Sequence, residues 1–127
     1  MDSALENRPP LIRVLVVDES PALRDTLRSF LEHAGYEVLA VGNAEDTLKA
    51  LSQDSFDVLA MDPSVSEGSG EEILQYLGIS LKKPPGKIIL LSSGDSFGED
   101  QNLRYLVTAS LKKPLQLGEL LRIIREP

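Results

Sequence analysis

Short apolar runs, each ended by a polar residue and followed by a segment of helical periodicity, constrain this chain more than any other feature. Residues 11–17 are β-branched and almost wholly apolar apart from Arg13, as in a strand buried on both faces. Asp18, Glu19, Ser20 and Pro21 break the run. Leu23, Leu27, Phe30, Leu31 and Ala34 then fall on one face of a helix that Pro21 opens and Gly35 ends. The alternation repeats. Residues 38–41 form a second strand, and Asn43 caps a helix carrying Leu48 and Leu51. Residues 57–61 form a third strand, and a Ser/Gly-rich loop follows over residues 62–70. Residues 71–79 are helical with Ile73, Leu74 and Leu77 inward, a turn covers residues 82–86, and residues 88–91 form a fourth strand. A short helix is expected around residues 100–105 and a fifth strand over residues 107–111. A last helix places Leu117, Leu120, Leu121 and Ile124 inward.

Strands that alternate with helices in this way join through right-handed crossovers into a parallel sheet covered on both faces. The expected fold is α/β: a single-domain, doubly wound, five-stranded parallel sheet, (βα)5, with the flavodoxin-like strand order 2-1-3-4-5. The length of 127 residues suits one core, and no repeat, low-complexity tract or linker divides it. Residues 1–10 are expected to be a flexible polar tail and residues 11–127 the folded domain.

Composition removes several classes of function. With no cysteine there is no disulfide, thiolate metal site or cysteine nucleophile, and a single histidine disfavours a multi-histidine metal site. A net charge of −7 disfavours a nucleic-acid partner. The longest uninterrupted apolar run is four residues, so no membrane span is expected. Residues 1–10 lack the basic start and apolar stretch of a secretion signal, which points to the cytoplasm. Gly68, Ser69 and Gly70 lack the spacing of a nucleotide-binding glycine loop.

The residues leaving the carboxyl ends of the strands carry the chemistry, since ligands of such sheets bind there. They are Asp18 and Glu19 after strand 1, Asp62 after strand 3, Ser92 at strand 4 and Lys113 after strand 5. Crowded carboxylates repel one another unless a hard cation is present, and oxygen-only ligation suits Mg²⁺. Such an ion makes room for a phosphoryl group, which a carboxylate can accept as an aspartyl-phosphate. A lysine and a hydroxyl can hold the remaining phosphoryl oxygens.

In their order and spacing these pieces resemble the receiver domain of two-component response regulators. The likeness runs over about residues 11–125. It rests on residues 14–24 with the acidic pair, on residues 56–62 ending at Asp62, and on Gly70. Residues 88–93 with the hydroxyl, and Lys112-Lys113-Pro114-Leu115, complete it. The resemblance implies Asp62 as phosphoacceptor. It implies a Mg²⁺ ion held by Asp18, Glu19 and Asp62 with the backbone carbonyl of Ser64. Lys113 and Ser92 would contact the phosphoryl group. It further implies a histidine kinase or phosphotransfer protein as donor. The output is an effector protein or fused output domain, engaged through the face between strand 4 and the fifth, last helix. Two copies could also pair through that face. The domain would be a switch and not a turnover enzyme.

Four departures mark this chain. Glu19 stands where aspartate is usual, and Ser66 where proline is usual. Ser110 replaces an inward-turning aromatic, and Leu106 and Val107 replace a small pair. Ser110 and Ser66 raise the alternative of a pseudo-receiver, a constitutive protein-interaction module without phosphorylation. An aspartyl-phosphate phosphohydrolase is disfavoured, because Ser64 occupies the position of its second carboxylate.

Overall fold

The computed structural model describes residues 11–79, 83–92 and 105–127. The expected tail over residues 1–10, residue 93 at the end of the hydroxyl-bearing segment and all but Tyr105 of the short helix expected around residues 100–105 lie outside them. The strands are β1 (Arg13–Val17), β2 (Glu37–Val41), β3 (Val58–Met61), β4 (Lys87–Ser92) and β5 (Ala109–Lys112). The helices are α1 (Pro21–His33), α2 (Ala44–Gln53), α3 (Gly70–Ile79) and α4 (Leu117–Arg125), with a short helical turn at Val65–Gly68. All pairings are parallel, and the order is β2-β1-β3-β4-β5, as the alternation of the sequence implies.

Local chemistry sets the helix ends. Ser20 accepts the Leu23 N–H through Oγ at 3.2 Å, and Pro21 follows where its missing N–H is harmless. At the exit of α1, Gly35 takes φ +101°, and the N–H groups of Gly35 and Tyr36 donate to the carbonyls of Glu32 and Leu31. That pair of bonds is a Schellman closure, which glycine enters without steric cost. Asn43 Oδ1 accepts the Asp46 N–H at 2.7 Å and caps α2.

Alternate residues of the strands feed two cores. Leu15, Val17, Leu59, Met61, Ile88 and Leu90 pack against α2 and α3 on one face. Val14, Val16, Val58, Ala60, Ile89 and Leu91 pack against α1 and α4 on the other. Burial on both faces explains why the strand sequences are continuous apolar runs. Among the described residues no helix is long and apolar enough to cross a membrane.

Four expectations need correction. Leu11 and Ile12 are 59% and 40% exposed and precede the first strand. The fifth strand begins at Ala109, after a short turn at Tyr105 and Leu106. In α4 it is Ile123, with Leu120 and Ile124, that is buried, while Leu121 is only half-buried. The loop over residues 62–70 contains the turn Val65–Gly68, whose Val65 side chain is wholly buried. A single apolar residue in a polar loop gives no periodic signal.

Candidate functional site

Asp18 and Asp62 directly follow neighbouring strands, and the pairing of Val17 with Met61 puts them at one edge of the sheet. Their backbones are tied in as well. The Asp62 N–H donates to the Val17 carbonyl at 2.9 Å and the Asp18 N–H to the Val41 carbonyl at 3.1 Å. Both residues are buried, Asp18 at 2% and Asp62 at 8% exposure. Lys113 reaches them from the turn after β5. Its Nζ lies 2.6 Å from Asp18 Oδ2 and 2.6 Å from Asp62 Oδ2. The Lys113 N–H donates to the Ser92 carbonyl at 2.8 Å, and the Lys113–Pro114 peptide bond is cis.

The other carboxylate oxygens are also engaged. Asp18 Oδ1 accepts the Ser20 N–H at 2.9 Å. Asp62 Oδ1 accepts the Ser64 N–H at 2.8 Å and the Ser64 hydroxyl at 2.7 Å. Burial by itself would raise the pKa of Asp62, but the hydrogen bonds from Lys113 and Ser64 outweigh it and hold the carboxyl below its ordinary range. Burial would likewise lower Lys113, yet its bonds to Asp18 and Asp62 carry it above the usual lysine value.

Glu19 points elsewhere. Its side chain is exposed to solvent, and Oε1 accepts the Ser66 N–H at 2.6 Å. Among the described residues no three acidic or histidine side chains are grouped so as to hold a metal ion. The donor chemistry nevertheless fits a hard divalent cation. Every candidate ligand is oxygen, and two buried carboxylates sharing one ammonium leave a surplus negative charge. Asp18, Asp62, Glu19 and the Ser64 carbonyl are the groups that could hold it, once Ser64 releases Asp62 and Ser66 releases Glu19.

Of the residues expected from the sequence, Asp18, Asp62 and Lys113 meet directly. Ser64 meets Asp62 through its N–H and hydroxyl. Ser92 ends β4, half-buried, and its carbonyl anchors Lys113. The sequence reading missed Arg24, whose Nη1 donates to the carbonyls of Asp18 at 2.7 Å and Glu19 at 3.0 Å. Gly42 leaves room for it, since a Cβ there would lie 2.4 Å from Arg24 Nη1. One signal was available: a cation in the first turn of a helix, where the dipole favours acids.

Gly70 is needed for a close approach. A Cβ on it would sit 2.6 Å from the Pro63 carbonyl oxygen, immediately after Asp62. The sequence model of the response regulator receiver domain matches residues 14–125, a span that contains every residue of this site. The chain belongs to that family.

This receiver domain is 29% identical over 115 residues to two-component response regulator ARR11 of Arabidopsis thaliana, a match covering 88% of this chain and 22% of the relative. It is 31% identical over 118 residues to two-component response regulator ORR24 of Oryza sativa subsp. indica, covering 88% and 18%. The chain thus spans about a fifth of the length of these relatives. Among solved structures, response regulator protein TrrA of Thermotoga maritima in complex with Mg²⁺-BeF superposes with a TM-score of 0.78 at 27% identity. That match covers 91% of this chain and 97% of TrrA. A second structure holds TrrA in complex with the histidine kinase ThkA, with a TM-score of 0.76 at 27% identity and the same coverage of both chains.

Proposed function

We propose that this receiver domain is a phosphorylation-dependent switch that accepts a phosphoryl group on Asp62 from a histidine kinase or phosphotransfer protein. The observation that carries this reading is the bridge of Lys113 between the buried Asp18 and Asp62. Two buried carboxylates and a fixed positive charge meet at one point of the sheet edge, which supports Asp62 as the nucleophile. The complex of TrrA with its histidine kinase supports the class of donor.

In the proposed transfer an Asp62 oxygen forms a bond to phosphorus as the phosphorus–nitrogen bond of a donor phosphohistidine breaks. The electron pair stays on the imidazole, which takes a proton from solvent. Asp62 is suited to attack because Lys113 and Ser64 keep it ionised. Its Oδ1 is the oxygen more readily freed, since it is held by neutral donors while Oδ2 faces an ammonium. Lys113 then passes from the carboxylate to a phosphoryl oxygen, and the Ser92 hydroxyl donates to another. When bound, Mg²⁺ held by Asp18, Glu19, Asp62 and the Ser64 carbonyl supplies charge neutralisation at the phosphoryl oxygens. The acyl phosphate carries a charge of about −1.5 to −2 in place of the single negative charge of the Asp62 carboxylate, and this change biases the face between β4 and α4 toward an effector protein or fused output domain.

A constitutive interaction module is the second reading. It is favoured by Ser110, which lies exposed on β5 where a turning aromatic would carry the signal. Intact mass spectrometry after incubation with acetyl phosphate separates the two. The switch predicts a Mg²⁺-dependent phosphoryl adduct that is missing in Asp62→Asn. Absence of any adduct, with no Mg²⁺ binding, would favour the constitutive module.

A further inference from the structure

Glu19 and Ser66 face each other across the site, 47 residues apart in sequence. The Ser66 N–H to Glu19 Oε1 contact of 2.6 Å is a charge-assisted hydrogen bond. Ser66 is fastened on other sides too. Its Oγ accepts the N–H of Ala44, the first residue of α2, at 2.8 Å, and its carbonyl accepts the Ser69 hydroxyl at 3.0 Å. The buried Val65 anchors the chain just before it. Ser66 and Glu67 have φ of +48° and +60°, a left-handed backbone that side-chain-bearing residues adopt at a cost. The loop is therefore held in a disfavoured shape, and Glu19 is one of the groups that holds it.

We propose that Glu19 and Ser66 form a latch that fastens the loop between β3 and α3 and keeps Glu19 from a divalent cation until the loop opens. The inference rests on the metal-dependent reading of the site given above. It joins two features of the sequence into one. An aspartate at position 19 would be shorter by one carbon–carbon bond, about 1.5 Å. A proline at position 66 would have no N–H to donate, and its φ near −65° excludes the observed backbone. The long acid and the N–H-bearing residue are each required for the contact. Closing the latch takes one carboxylate from the ligand set, and binding the cation must break it. Ser66 is thus a positioning residue for Glu19 and touches no reacting atom.

The test is amide hydrogen exchange of the ¹⁵N-labelled full chain, followed by NMR as Mg²⁺ is titrated, with calorimetric Mg²⁺ affinities of the wild type, Ser66→Ala and Ser66→Pro. The Ser66 amide of the wild type should exchange about tenfold faster at saturating Mg²⁺. Ser66→Ala retains the N–H and should bind Mg²⁺ within about twofold of the wild type, whereas Ser66→Pro should bind about fivefold more tightly. Equal affinity in the wild type and Ser66→Pro, with Ser66 exchange indifferent to metal, would overturn the latch and leave the receiver chemistry standing. No Mg²⁺ binding by any of the three proteins would overturn the metal-dependent reading, and the latch with it. The wild-type exchange rates decide the matter even if the proline variant folds poorly.

Discussion

Lys113 ties together two carboxylates that would otherwise face each other across a buried gap, so its titration and that of Asp62 must register in stability. Asp62 has its pKa depressed from 3.8, so its contribution is present above about pH 3.8 and is lost as pH falls through the folded value. Lys113 has its pKa raised from 10.5, so its contribution is present below about pH 10.5 and is lost as pH rises through the folded value. Urea unfolding across pH should show this part of the stability level in between and falling at both ends. Replacing Lys113 with Met should cost about 1–3 kcal/mol at neutral pH, because the two carboxylates are left uncompensated. In that variant, acidification toward pH 5 should restore stability by relieving their repulsion. An unchanged pH dependence in Lys113→Met would contradict the bridge. Asp18, Asp62 and Lys113 were legible in the sequence because each leaves a strand end, and strand pairing alone brings such positions together. The direction taken by Glu19 was not legible, since it depends on a left-handed turn at Ser66 that no periodicity encodes.

At the scale of elements, Lys87 fastens the end of α4 to the start of β4. Its Nζ donates to the carbonyls of Ile123 at 2.6 Å and Ile124 at 2.8 Å, and also to that of Glu126. These are the carbonyls a helix leaves unpaired, at the end where its dipole favours a cation. Lys87→Met should therefore cost about 1 kcal/mol, seen as a lower urea midpoint and faster amide exchange in the last turn of α4. Gly70→Ala should cost about 1–3 kcal/mol, since the new Cβ would meet the Pro63 carbonyl oxygen at 2.6 Å and its Cα at 2.7 Å. The backbone shift needed to relieve that clash begins next to Asp62, so slower phosphorylation should accompany the loss of thermal stability. The Lys87 contact is not visible as a motif, whereas Gly70 already stood among the residues of the family likeness. The long apolar strands and the capped helices were legible because burial on both faces and helix-end chemistry leave marks in neighbouring residues. The late start of β5 and the inward turn of Ile123 were not, because a short strand and the last turn of a helix offer too few residues to fix a phase.

In the whole molecule, two cores on opposite faces of one sheet support the carboxyl edge at which Asp18, Asp62 and Lys113 meet. The strand order was legible because alternating strands and helices admit few unknotted, right-handed windings. The place of the expected turning aromatic is taken by Ser110, which is exposed on β5. Chemical trapping of the acceptor tests the proposed switch most directly. The full chain would be incubated with acetyl phosphate and Mg²⁺, reduced with borohydride and mapped by tandem mass spectrometry. Reduction converts an aspartyl-phosphate to homoserine, so Asp62 should be read as homoserine, only when Mg²⁺ is present. Homoserine at another aspartate, the corresponding alcohol at a glutamate, or an unaltered Asp62 in every sample would contradict the assignment of Asp62 as the phosphoacceptor.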